Sequence, residues 1–162
     1  MTETPASLFN LMTYRDPNSP LAAMSWGAED LSAALGASSK YDANGELSFT
    51  YKMARSLCLA GAVAAGVQPV DGVFADFRDD AGLKAEVEAA RREGFTGKLA
   101  IHPAQVPVIN AAFTLSAEDL SHAEEIVAAF EAHPNAGVLS VGGKMVDRPH
   151  LVQARRILER AR

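Results

Sequence analysis

The chain has 162 residues, a formal net charge of -5 and a hydrophobic fraction of 48%. That length predicts one domain, with enough apolar material for a real core. Mild acidity without a Lys/Arg stripe interleaved with aromatics speaks against a nucleic-acid binder, and the absence of any run of about 18 apolar residues speaks against a membrane span.

The opening MTETPASLFN has no basic or apolar signal region, so a cytoplasmic protein is expected. Thr4-Pro5 reads as a helix start with Pro in the first position. Residues 16–20 (DPNSP) read as a loop, and residues 21–26 as a short buried strand. A polar stretch over 38–46 with Asn44-Gly45 predicts a turn. A long helix over 47–65 follows, closed by Gly66. Its lone cysteine, Cys58, reads as a small core residue.

Residues 70–75 (VDGVFA) read as a second strand. An amphipathic helix over 82–93 buries Leu83, Val87 and Ala90 and ends at Gly94. Residues 99–101 read as a third strand, followed by His102-Pro103 and a short helix over 106–113. Ser116 and the acids after it open another helix, running to 132. Gly142-Gly143 between two extended pieces predicts a hairpin. Pro149 starts a last helix over 150–162.

Short apolar strands separated by crossover-length helices predict a parallel sheet. A fourth strand exists only if residues 1–4 end one. A complete (β/α)8 barrel needs about 250 residues, so three or four strands leave sheet edges to cover. In such sheets ligands gather at the carboxyl ends of the strands. There stand Glu3, then Gly27, Ala28, Glu29 and Asp30, then Asp76 and Asp79, then His102 and Gln105. Magnesium takes one or two carboxylates and completes its shell with water and substrate. Glu3 and Asp30 could each give one oxygen, while the N–H groups after Gly27 could meet a substrate carboxylate. Read alone, each acid is equally a helix cap or a solvated turn residue.

Four runs in this order, WGAEDLSAALGA (26–37), GVQPVDGVFADFRDDAGL (66–83), GFTGKLAIHPAQVPVIN (94–110) and GGKMVDRPH (142–150), resemble the citrate lyase beta subunit family. Its wider group includes malyl-CoA and citramalyl-CoA lyases. The resemblance implies an α/β fold. It implies that residues 1–115 form the C-terminal half of a TIM barrel, about four βα units, and residues 116–162 a helix-hairpin-helix lid. It implies Mg2+ on Glu3 and Asp30, with a substrate carboxylate at Gly27, Ala28 and Glu29. It implies a CoA thioester or 2-oxo acid substrate, with His102, Pro103 and Gln105 at the CoA rim. Asp147 becomes an acid/base supplied in trans, which implies a homo-oligomer, a trimer or a multiple of one.

The implied activity is Mg-dependent carbon–carbon cleavage of a 3-hydroxyacyl-CoA-type thioester, such as a citryl, malyl or citramalyl thioester. No arginine here matches the family's substrate-binding arginine on an early strand, because the four βα units before Glu3 have no counterpart. The chain alone is therefore expected to be a poor lyase. Its missing half comes from another chain, or was lost by truncation or a mis-called start, or two copies cover each other's edges. The alternative function is a catalytically inactive half-barrel that assembles with or binds a full-length relative.

Overall fold

The structure, a computed structural model, describes residues 1–16, 18 and 20–161. Pro17 and Ser19, within the predicted loop, and Arg162, at the end of the predicted last helix, lie outside the described residues. The chain forms two compact units, Met1–Phe113 and Thr114–Arg162. No helix among the described residues is long and apolar enough to cross a membrane.

The first unit is built on a parallel sheet. Strands β1 (Ala23–Met24), β2 (Gln68–Asp71) and β3 (Gly97–Lys98) lie in that order. Ala23 pairs with Gln68, and Val70 with Gly97. A parallel bridge from Thr2 to Trp26 brings the start of the chain alongside β1, so the predicted fourth strand exists as a single bridge. Helices α1 (Pro5–Phe9), α2 (Ala28–Leu35), α3 (Phe49–Ala65), α4 (Asp80–Glu93) and α5 (Gln105–Phe113) follow the strands. A 3-10 turn, Leu11–Tyr14, continues from α1.

Two predicted strands shift toward the N-terminus. The second ends at Asp71 and not at residue 75, and the third is Gly97–Lys98 and not 99–101. Pro69 has no N–H and reads as a strand breaker. It is tolerated because its carbonyl still accepts from Thr96 N (2.9 Å). As a consequence, the residues at the carboxyl ends of β2 and β3 are the charged pair Asp71 and Lys98.

Tyr51, Ala54, Cys58 and Ala62 recur at helical spacing on α3 and bury one face against Met24, Trp26 and Leu31. Cys58 is a core residue, as its Ala-rich setting predicts, and burial pushes its thiol pKa up. Leu83 and Val87 of α4 pack on Ile109 of α5. Gly66 ends α3 at φ 71°, a left-handed conformation that costs any other residue a Cβ clash.

The second unit consists of α6 (Ala117–Ala132), a hairpin of β4 (Val138–Val141) and β5 (Lys144–Asp147), and α7 (Arg148–Arg160). Ser116 and Asp119 form the reciprocal capping box that opens α6. Gly142 (φ 57°) and Gly143 (φ 77°) make the hairpin turn, whose two left-handed positions suit glycine. Ile126, Phe130, Val146 and Leu151 form this unit's own core.

Candidate magnesium site at the strand ends

Glu3 lies against Gly27, and Asp30 stands three residues after that glycine in the first turn of α2. Thr2 N donates to Ser25 O (2.6 Å), and Gly27 N donates to Thr2 O (3.2 Å). These bonds fix Glu3, the next residue, against the end of β1. A Cβ added to Gly27 would lie 2.9 Å from Glu3 Oε2, so the carboxylate occupies the space that a side chain would fill. Gly27 is also the N-cap of α2, and it brings no side chain to cap the helix. The first-turn N–H groups of α2 therefore keep their capacity for an anion. Asp30 is exposed in that same first turn.

Glu29 points its carboxylate at Lys40 and pairs with it. Burial of the Lys40 ammonium lowers its pKa, but the bond to Glu29 outweighs this and the net shift is upward. Lys40 thus stays charged and holds the loop after α2 against that helix. A cavity of about 760 Å3 opens beside it, lined among others by Trp26, Lys40, Arg55, Phe74, Asp76 and Glu93.

Other candidates have local roles in the fold. His102 stacks on Phe77, with ring centroids 4.5 Å apart, and its Nδ1 accepts from Ala104 N (3.2 Å). Gln105 is fully buried: its Nε2 donates to Phe74 O (2.9 Å), and its Oε1 accepts from Ile101 N (2.9 Å). It ties the loop after β3 to the loop after β2. Asp76 accepts from Arg78 N, and Asp79 caps α4 by accepting from Gly82 N (2.9 Å). Pro103 precedes α5, and its carbonyl accepts from Val106 N (3.2 Å).

The most buried charges stand outside the residues that the sequence singles out. Asp71 has a side chain 1% exposed, and that of Lys98 is 0% exposed. Arg55 Nε and Nη2 donate to Asp71 Oδ1 (2.9 Å) and Oδ2 (3.1 Å). Lys98 Nζ donates to Oδ2 (3.3 Å), and Trp26 Nε1 to Oδ1 (2.8 Å). Glu93 and Glu86 pair in turn with Arg55 and Lys98. Burial alone would raise the Asp71 pKa. The Arg55 bonds, the Lys98 and Arg55 charges and the Trp26 N–H outweigh it and hold the carboxyl below its usual range.

In the second unit, Asp147 ends β5 and caps α7. Its Oδ1 lies 2.6 Å from His150 Nδ1. The hydrogen bond with His150 holds the Asp147 carboxyl below the usual carboxylate range. Asp147 is partly exposed, and it is a carboxylate at neutral pH. Replacing His150 by alanine should move the Asp147 titration up toward about 3.9, the unperturbed aspartate value. Side-chain carboxyl 13C shifts followed against pH would measure it, and an unmoved midpoint would show that His150 does not set the charge of Asp147.

A family model of carbon–carbon bond lyases of the TIM-barrel fold matches residues 19–162. The chain belongs to this family. It is 39% identical over 140 residues to the mitochondrial citramalyl-CoA lyase of Mus musculus, covering 85% of this chain and 40% of that one. It is 40% identical over 143 residues to the (3S)-malyl-CoA thioesterase of Cereibacter sphaeroides, covering 87% and 48%. Among solved structures, CitE of Mycobacterium tuberculosis with magnesium, acetoacetate and coenzyme A superposes with a TM-score of 0.73 at 38% identity. That match covers 88% of this chain and 53% of CitE. The chain thus spans about half the length of the lyase-family relatives it matches.

Proposed function

We propose that this chain carries the magnesium-binding strands of a lyase that cleaves a carbon–carbon bond in a 3-hydroxyacyl-CoA-type thioester. In this reading residues 1–115 are the C-terminal half of a (β/α)8 barrel, and residues 116–162 are a lid whose Asp147 serves a neighbouring subunit. The observation that carries it is the Glu3 carboxylate seated on Gly27 at the opening of α2, with Asp30 in that helix's first turn. Supporting it, CitE was crystallised with magnesium and coenzyme A, and the named relatives act on CoA thioesters.

The donor set fits magnesium. Among the described residues no group of three or more His, Cys, Asp or Glu could cage a metal. A two-carboxylate half-shell is what Mg2+ typically takes from protein, leaving positions for water and substrate. Glu3 and Asp30 would hold the ion, which when bound supplies a Lewis acid for substrate oxygen. The first-turn N–H groups of α2 orient a substrate carboxylate. Asp147, ionised beside His150, is set to accept the proton of a substrate hydroxyl at its carboxylate oxygens. The 760 Å3 cavity beside Trp26 is large enough for part of an acyl thioester.

The test is calorimetric titration of the unaltered chain with Mg2+ at pH 7.5. One ion per chain is expected to bind with the affinity of an open two-carboxylate site. No heat and no displacement by Mn2+ in an electron-spin titration would refute the reading.

A further inference from the structure

We propose that Asp71 is a positioning residue for the magnesium corner and acts through the indole of Trp26. The inference rests on the reading of Glu3 and Asp30 as the magnesium carboxylates.

Regular pairing between β1 and β2 ends at Met24 opposite Pro69, and a proline has no N–H to carry a ladder bond. The segment that sets the corner, residues 25–27, follows directly. Ser25 O and Gly27 N are both bonded to Thr2 and so fix where Glu3 stands. Trp26, between them, turns toward β2. Its Nε1–H donates to Asp71 Oδ1 (2.8 Å), replacing the ladder with a side-chain bond where the backbone bonds stop. Ser25 Oγ adds a long contact to Asp71 O (3.5 Å).

The fit around Trp26 is tight on both flanks. A Cβ on Gly72 would lie 3.1 Å from the Trp26 indole nitrogen and 3.1 Å from its carbonyl oxygen. On the other flank, the next residue, Gly27, leaves no room for a Cβ beside Glu3. Asp71 itself has little freedom, because Arg55 grips both its oxygens and Lys98 closes the third side. A rigid anchor on β2 therefore fixes Trp26, Trp26 fixes Gly27, and Gly27 fixes the Glu3 carboxylate. Partners one shell out from a metal commonly change its affinity about 10–100-fold when removed.

Coupling of this kind is reciprocal: what the Trp26–Asp71 bond adds to magnesium affinity, bound magnesium must return to the bond. Trp26 is the chain's single tryptophan, so its Nε1–H gives one isolated nuclear magnetic resonance signal. In the unaltered chain, saturating Mg2+ should slow solvent exchange of that proton about tenfold or more. Trp26→Phe, which keeps an aromatic ring and loses the donor, should weaken Mg2+ binding by about 10–100-fold at a temperature where circular dichroism shows it folded. Gly72→Ala, which presses a methyl group on the same indole, should weaken it in the same direction.

A purely structural bond would lower the melting temperature of both variants and leave the Mg2+ dissociation constant within twofold of the original. That result, or an exchange rate indifferent to Mg2+, overturns the inference. If the unaltered chain binds no Mg2+, the magnesium reading itself has failed. Magnesium bound normally by the unaltered chain and by both variants is a failure of this inference alone.

Discussion

Asp71→Ala is expected to destabilise the first unit by roughly 3–5 kcal/mol, the usual cost of removing one partner from a buried ion pair. Arg55 and Lys98 would face each other across the vacated space, with Lys98 fully buried. Glu93 and Glu86 keep one bond each to those cations, but they are about half exposed, 47% and 43%, and cannot replace a buried acceptor. Asp71→Asn should cost nearly as much. It keeps the shape and an oxygen for Trp26, and loses the charge. Because the folded-state pKa of Asp71 lies below its unfolded value, its contribution is complete above about pH 4 and is lost as pH falls through the lower, folded value. Urea unfolding at pH 7 should show the full difference between the original chain and Asp71→Ala, and the two should converge in strong acid. A difference that persists unchanged to pH 2 would mean that packing, and not charge, accounts for the loss.

This buried cluster also shows where sequence stops informing. Gly66, Gly94, Gly142-Gly143 and the Ser116–Asp119 box were legible because a helix end or tight turn is decided within four or five residues. The ends of β2 and β3 were not. Val73, Phe74 and Ala75 are as apolar as a strand, yet they lie in the loop beyond Asp71, while Pro69 masks a true strand residue. A usable signal was present: Asp71 and Lys98 each interrupt an apolar run on neighbouring strands, and a charge in a buried strand needs an opposite partner. Finding Arg55's place was harder, since that residue reads only as one more solvated cation on a long helix.

The carboxylates of the site are a different case. Glu3 and Asp30 stood out by their places at strand ends and by resemblance to a lyase family, whereas their local chemistry fits a cap as well as a ligand. What the structure adds is Gly27. Nothing in the sequence distinguishes it from an ordinary turn glycine, because the reason for it is the Glu3 side chain, 24 residues away.

Glu3→Gln and Asp30→Asn should each abolish measurable Mg2+ binding, because a hard cation held by two protein oxygens loses half its charged ligands in either variant. Stability at neutral pH should change little for Asp30→Asn, whose carboxylate is exposed. Gly27→Ala separates position from charge. The added methyl group would meet Glu3 Oε2 at 2.9 Å and Glu3 Cβ at 3.2 Å, so the carboxylate swings aside, the start of the chain gives by a few tenths of an ångström and the fold survives. Gly27 has φ -130°, which alanine adopts without strain. The expected result is a stability change within about 1 kcal/mol and a Mg2+ affinity about 10–100-fold weaker. Calorimetry on the three variants, with melting curves run alongside, distinguishes the cases. If Gly27→Ala binds Mg2+ as the original chain does, Glu3 is not held in place for the metal, and its seat on Gly27 is packing alone.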